Sequence, residues 1–335
     1  MIMTVMGEKS EKELGLISAH EHIFIDMRKL VDTPTDATDL FFSDITAENR
    51  GEVFSDPYAI RDNALLDNFD DALKEVCDFK KAGGSTIVDC TLDEIGRKPR
   101  LLKEISQKSG VNIIVGCGHY YDKAHTDYVK NATVEELAQE MIKDIEVGIG
   151  DTDIRAGVIG EIGTSALITD NEKKVLKAAG IAAAKTKKGV HIHTDLYTEN
   201  GFEVIDILEN EGVKPEKICI NHIDVWLRPN YIKELLKKGV YIEFDNFGKE
   251  FYVSEKRRFA YDLERIKVLK ELIDEGYKKQ ILISNDICLK TMWKRYGGTG
   301  YSHILKTVRY MAEENGIDKA TYLSILSDNV INFLK

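Results

Sequence analysis

Eight short apolar or β-branched runs alternate with longer stretches whose apolar residues recur at helical spacing, which predicts an α/β fold. The arrangement expected is a single (β/α)8 TIM barrel spanning residues 1–335. The runs are apolar on both faces, as strands of a parallel sheet covered by helices must be. Their number also exceeds that of most open doubly wound sheets. The turn after the first run, HEHIFID, has no glycine, whereas a nucleotide-binding sheet opens on a glycine-rich phosphate loop.

The elements follow in order. The first strand, 14–19, leads directly into His20-Glu21-His22. Residues 30–63 form a polar connection with little periodicity, and a connection that long is usually functional or mobile. A helix at 64–82 precedes strands at 85–91 and 111–116. The helix at 133–147 opens on a capping box, with Thr133 three residues before Glu136. Strands at 156–161, 190–194, 217–221, 240–244 and 280–284 then alternate with helices at 171–187, 203–211, 231–238, 261–275 and 302–314. A last helical segment, 319–333, closes the barrel after the eighth strand.

Composition narrows the function. A chain of 335 residues with 43% hydrophobic content has material for a large core. Its net charge of -11 argues against nucleic acid or anionic membranes as partners, because phosphate binding depends on Lys and Arg. The five cysteines are scattered without a C-x-x-C pair, the pattern of reduced thiols in a cytoplasmic protein; Cys90, Cys117 and Cys219 read as buried. The opening MIMTVMGEKSEKE is not expected to be a secretory signal, and no uninterrupted apolar stretch in the sequence is long enough to span a bilayer. The expected partner is a small anionic molecule, and a homodimer is the assembly considered.

In such a barrel, chemistry sits at the C-terminal ends of the strands. His20 and His22 end the first strand, Glu161 the fourth and His193 the fifth; His222 lies just beyond the sixth and Asp286 just beyond the eighth. Residues two apart share a strand face, so His20 and His22 both point inward while Glu21 points toward the helices. One histidine at a strand end is usually a hydrogen-bonded bystander. Six nitrogen and oxygen donors in this order are a ligand set for two divalent ions. His191 sits deeper and reads as packed or supporting a ligand, whereas His119, His125 and His303 read as solvated.

The segments GLISAHEHIFID, AGVIGEIGTS, HIHTD, CINHID and ILISNDI together resemble the phosphotriesterase-like branch of the amidohydrolase superfamily. The resemblance implies that His20, His22 and Asp286 hold one metal, that His193 and His222 hold the other, and that Glu161 bridges them. The family's organophosphate hydrolases bridge with a carboxylated lysine. Glutamate at 161 places the chain nearer the phosphotriesterase homology proteins and the lactonases, and puts triesterase activity in doubt. The ions expected are zinc, with manganese or cobalt as alternatives, since His and carboxylate ligands suit all three.

Two ions sharing a carboxylate lower the pKa of a shared water toward about 7, and Asp286 is placed to take its proton. The implied reaction is hydrolysis of an ester-like bond, first of all in a sugar-derived, phosphorylated lactone. Two locally basic loops offer an anion site: 248–258, with Lys249, Lys256, Arg257 and Arg258, and 290–296, with Lys294 and Arg295. Arg97, Tyr120 and Tyr252 are further candidates for substrate contact. The alternatives are a metal-dependent phosphoesterase or a TatD-type nuclease, which shares the HxH pair and the GEIG strand, and a non-catalytic metal-binding barrel.

Overall fold

The computed structural model describes residues 1–255 and 257–335. Eight parallel strands pair in chain order: β1 (Leu16–Glu21), β2 (Gly84–Asp89), β3 (Asn112–Cys117), β4 (Val158–Gly163), β5 (Val190–His193), β6 (Ile218–Ile220), β7 (Tyr241–Phe244) and β8 (Ile281–Ile283). Helices α1 (Phe69–Lys81), α2 (Pro99–Ser109), α3 (Val134–Glu146), α4 (Asp170–Thr186), α5 (Gly201–Asn210), α6 (Pro229–Lys237), α7 (Asp262–Asp274) and α8 (Thr307–Glu314) follow the strands in turn. The sheet is nearly closed into a barrel ringed by helices, the TIM-barrel arrangement that the alternation predicts.

Strands β8 and β1 are not paired in the ladder, and a backbone contact and one side chain join them. Asp286 N–H donates to the His20 carbonyl at 3.3 Å. Glu21 does more, because its buried carboxylate accepts from Ser18 Oγ (2.6 Å), Asn285 N (3.0 Å), Asn285 Nδ2 (2.7 Å) and Ile287 N (2.8 Å). The central residue of His20-Glu21-His22 therefore fastens the loop after β8, which carries Asp286, to the end of β1.

Inside the barrel, Ile17, Ala19, Val88, Cys90, Ile114, Val158, Cys219 and Leu282 pack into one core with Ile2, Leu14, Val330, Phe333 and Leu334. The two chain ends thus seal the bottom of the barrel and leave the C-terminal mouth open. The Phe333 ring lies 4.9 Å from His191, so apolar packing reaches up to the lowest polar layer. A second, larger core fills the space between sheet and helices.

Element boundaries differ from the sequence reading in instructive ways. Helix α1 begins at Phe69 rather than 64, because Leu65 and Leu66 pair with Ile25 and Asp26 in a short antiparallel bridge, and Asn68 caps the helix by accepting from Asp71 N at 3.0 Å. Helix α2 is absent from the reading above; its buried stripe is Leu102, Ile105 and Ser106. The closing segment is helical throughout, as Lys319–Ser324, a π turn at Ile325–Asn329, and Val330–Leu334 without a break. In that turn Asn329 Nδ2 donates to the carbonyls of Lys278 and Ile281, both at 2.7 Å.

Three histidines read as solvated are buried instead. His303 Nε2 lies 2.7 Å from Asp262, His125 Nε2 2.7 Å from the Tyr120 carbonyl, and His119 Nδ1 2.6 Å from Glu94. Each has a carboxylate or carbonyl that accepts its proton, so burial is tolerated. Burial alone would lower the pKa of His119, but Glu140 and Glu94 outweigh it and raise the ring to about 9. The stabilisation this represents is complete below the unfolded value of about 6.5 and is lost as pH rises through the folded value. Folding stability is expected to fall by up to about 3 kcal/mol over that window, and His119→Gln should flatten the slope in urea titrations at several pH values. An unchanged slope in the variant would assign the pH dependence elsewhere.

Candidate metal centre

Local backbone geometry turns six side chains to one point at the mouth of the barrel. The alternation of β1 sends His20 and His22 inward. A register irregularity between Ile159 and Ile162 interrupts the β4–β5 ladder, and Glu161 lies within it. His222 and Asp286 follow the ends of β6 and β8 with φ of 61° and 47°. Left-handed backbone at non-glycine residues is uncommon and concentrates at functional sites. The backbone N–H of His222 is held in that turn by both Asp245 carboxylate oxygens, at 3.2 and 3.1 Å.

The six groups converge closely. His22 Nε2 lies 3.0 Å from Asp286 Oδ1, and His20 Nε2 lies 3.9 Å from the same oxygen. Glu161 reaches both sides of the cluster: Oε1 is 3.4 Å from His22 Nε2, while Oε2 is 3.4 Å from His20 Nε2, 3.1 Å from His193 Nδ1 and 3.3 Å from His222 Nε2. His193 Nδ1 and His222 Nε2 stand 2.8 Å apart. Burial would raise the Glu161 pKa, but His20, His193 and His222 hold the carboxyl well below its usual range. Asp286 behaves alike, since Lys249 and the nearby His22 and His20 rings overcome burial and lower it to about 2.

These donors fit divalent cations. His20 Nε2 is buried and has no hydrogen-bond partner among the described residues, though it points between two carboxylates. The opposite nitrogens face acceptors: His22 Nδ1 lies 2.9 Å from Thr91 Oγ1, His222 Nδ1 3.0 Å from Asp245 Oδ2, and His20 Nδ1 3.5 Å from Asp245 Oδ2. Histidines that bind metal are oriented by such contacts at the far ring nitrogen. Two groups of donors near enough to share an ion are His20, His22 and Asp286, and His20, Glu161 and His222.

Asp245 and Thr91 are supporting residues that the sequence reading misses. Asp245 is the more legible of the two, because it follows β7 at the same strand-end position that singles out the other candidates. His191, by contrast, lies in a deeper layer, 3.2 Å from Glu243 Oε2.

Above the cluster opens a cavity of about 760 Å³. Tyr120, Lys249 and Arg257 line it, and Tyr120 Oη lies 3.2 Å from His193 Nδ1. Lys249 is buried, and its ammonium pairs with Asp286 Oδ2. The long connection after β1 contributes Asp32, Pro34, Asp56, Pro57 and Tyr58 to the rim.

Four other candidates stand elsewhere. Arg97 turns away from the cavity to donate to the Gly116 carbonyl (2.9 Å) and to pair with Asp144 (3.4 Å). Lys294 and Arg295 lie on a turn against the acidic face of α1, where they meet Asp78 and Asp71. Tyr252 is half exposed on a short hairpin outside the cavity. Local basic character in these loops is therefore mostly spent on internal ion pairs. Lys256, in the same basic run as Arg257, lies outside the described residues.

The sequence profile of the phosphotriesterase family matches residues 1–334. The chain belongs to the phosphotriesterase family. It is 34% identical to an N-acetyltaurine hydrolase of Xenopus tropicalis over 334 residues, covering 98% of this chain and 96% of the relative. Among solved structures, a resiniferatoxin-binding protein from Rhodobacter sphaeroides superposes with a TM-score of 0.97 at 31% identity, covering 100% of this chain and 94% of that one. A lactonase from Listeria monocytogenes gives 0.81 at 27% identity, covering 100% and 98%. The family consists of binuclear metal-dependent enzymes, and the chain is accordingly a hydrolase acting on ester or amide bonds. No helix among the described residues is long and apolar enough to cross a membrane.

Proposed function

We propose that residues 1–335 form one cytoplasmic hydrolase domain that cleaves the acyl bond of a small anionic molecule. An amide of the N-acyltaurine class is the first substrate, and a phosphorylated sugar lactone the second. The observation that carries this reading is the pairing of Lys249 with Asp286 at the floor of the cavity, with Arg257 at its rim. Fixed positive charge next to the ligand cluster selects a substrate whose anionic group lies a short distance from its carbonyl. Extended similarity to the N-acetyltaurine hydrolases favours the amide, while the lactonase neighbour supports the lactone.

His20, His22 and Asp286 would hold one ion and His193 and His222 the other, with Glu161 between them. Divalent ions held there, zinc first, would supply a water of lowered pKa, toward about 7, and polarisation of the carbonyl oxygen. The Asp286 carboxylate, with Oδ1 facing His22 and the cluster and Oδ2 held by Lys249, would take a proton and return it to the leaving nitrogen or oxygen. Lys249 keeps that carboxyl ionised in the resting enzyme and presents N–H donors to the anionic group. Tyr120, against His193, walls the site on the β3 side.

Zinc-loaded protein should hydrolyse N-acetyltaurine, and should process N-acetylethylamine, which lacks the sulfonate, about 10- to 100-fold less efficiently in kcat/KM. Equal rates on the two would remove the anion anchor. Phosphorylated lactones turned over much faster than N-acetyltaurine would reverse the order of the two substrates.

A further inference from the structure

A guanidinium closed off from solvent ties together three connections at the barrel mouth. Arg265, on the first turn of α7, is fully buried, and its fork points three ways. In the connection after β6, Nε lies 3.0 Å from Asp224 Oδ2 and donates to the Asp224 carbonyl at 3.3 Å. At the start of α7, Nη1 donates to Asp262 Oδ1 at 2.9 Å. In the connection after β7, Nη2 donates to the Lys249 carbonyl at 3.0 Å. From beyond β8, His303 Nε2 reaches the other oxygen of Asp262.

Both carboxylates grip the segment that carries Lys249. Asp224 accepts from Asn246 N (3.0 Å) and Asn246 Nδ2 (2.8 Å), and Asp262 Oδ1 accepts from Gly248 N (2.9 Å). Gly248 has φ of 88°, and a Cβ there would meet Thr299 Oγ1 at 2.8 Å, so the chain passes close against the connection after β8. Arg265 does not line the cavity, whereas the Lys249 ammonium does, against Asp286. A single ammonium could not replace the planar fork, which meets separate acceptors in one plane.

We infer that Arg265 is the positioning residue for Lys249. It fixes the backbone from which the ammonium reaches the cavity floor, and with it the place of the substrate's anionic group. This inference rests on the proposed anion-binding role of Lys249 and names what aims that charge.

Arg265→Lys keeps the buried charge and removes the fork. In zinc-loaded enzyme, the ratio of kcat/KM for N-acetyltaurine to that for N-acetylethylamine should fall by about 10-fold, mainly through KM for the anionic substrate. A general loss of structure lowers both substrates alike and leaves the ratio. In a Lys249→Met background the same change should not alter the ratio, as for two residues acting through one interaction. Hydrogen exchange of residues 246–251 reads the segment without any substrate, and should quicken in Arg265→Lys. Asp262→Asn, which keeps an oxygen for Gly248 N, should show a smaller change of the same sign and carries the test if Arg265→Lys does not fold. Faster exchange in the variants, with a parent that does not distinguish the two substrates, overturns the anion role of Lys249 and upholds the positioning. A folded variant that keeps the parent's ratio where the parent does distinguish them, or the parent's exchange, overturns the positioning.

Discussion

Asp286→Asn is expected to lower kcat by about 10²- to 10⁴-fold, the range that a positioned proton acceptor contributes, with divalent metal still bound. Asparagine keeps an oxygen to face His22 but has no carboxylate to take a proton. It also leaves a buried ammonium without its counter-charge, so folding stability should fall together with turnover. Metal content by elemental analysis, measured beside kcat, separates loss of the proton acceptor from loss of the ions. Turnover at the unmodified rate would refute the assigned role.

Glu161→Ala should have the broader effect. One carboxylate lies within 3.4 Å of four imidazoles, and its removal leaves His20, His22, His193 and His222 facing each other without the anion that holds them together. Bound metal should drop below one equivalent and activity should fall to background. The metal-free variant should also be less stable than the metal-free parent by about 3–5 kcal/mol, as when one partner of a buried charge cluster is deleted. Thermal unfolding after chelation, with and without added zinc, measures both parts. A variant that retains two ions and melts with the parent would show that Glu161 is not the bridge.

These effects concentrate in residues that were legible in the sequence because each stands at a strand end. Period-two alternation places His20 and His22 on one face, and the strand order brings His193, His222, Glu161 and Asp286 to the same mouth. What periodicity cannot express is the backbone that aims them. The left-handed turns at His222 and Asp286 lie against tertiary contacts of Asp245 and Glu21, and the irregularity that holds Glu161 against one from Glu161 N to the Cys90 carbonyl. Glu21 shows the limit well: its outward direction is readable, but its three contacts across the β8–β1 junction involve residues more than two hundred positions away, and a fourth is to its neighbour Ser18.

Charge was read less reliably than position, for a physical reason. Arg97, Lys294 and Arg295 look like anion anchors in a chain of net charge -11, yet the same excess of carboxylates supplies each with an internal partner. Lys249 is paired too, but with a residue of the ligand cluster, and that distinguishes it from the others. The solvated reading of His119, His125 and His303 fails similarly, because a nearby acceptor lets each be buried.

Back-titration of chelated, inactive protein with zinc, following hydrolysis of N-acetyltaurine and of a phosphorylated sugar lactone side by side, bears on the centre most directly. Activity on at least one of them should climb with added metal and break at two equivalents per chain. A break at one equivalent, or full activity in protein shown by elemental analysis to be metal-free, would contradict a binuclear centre bridged by Glu161.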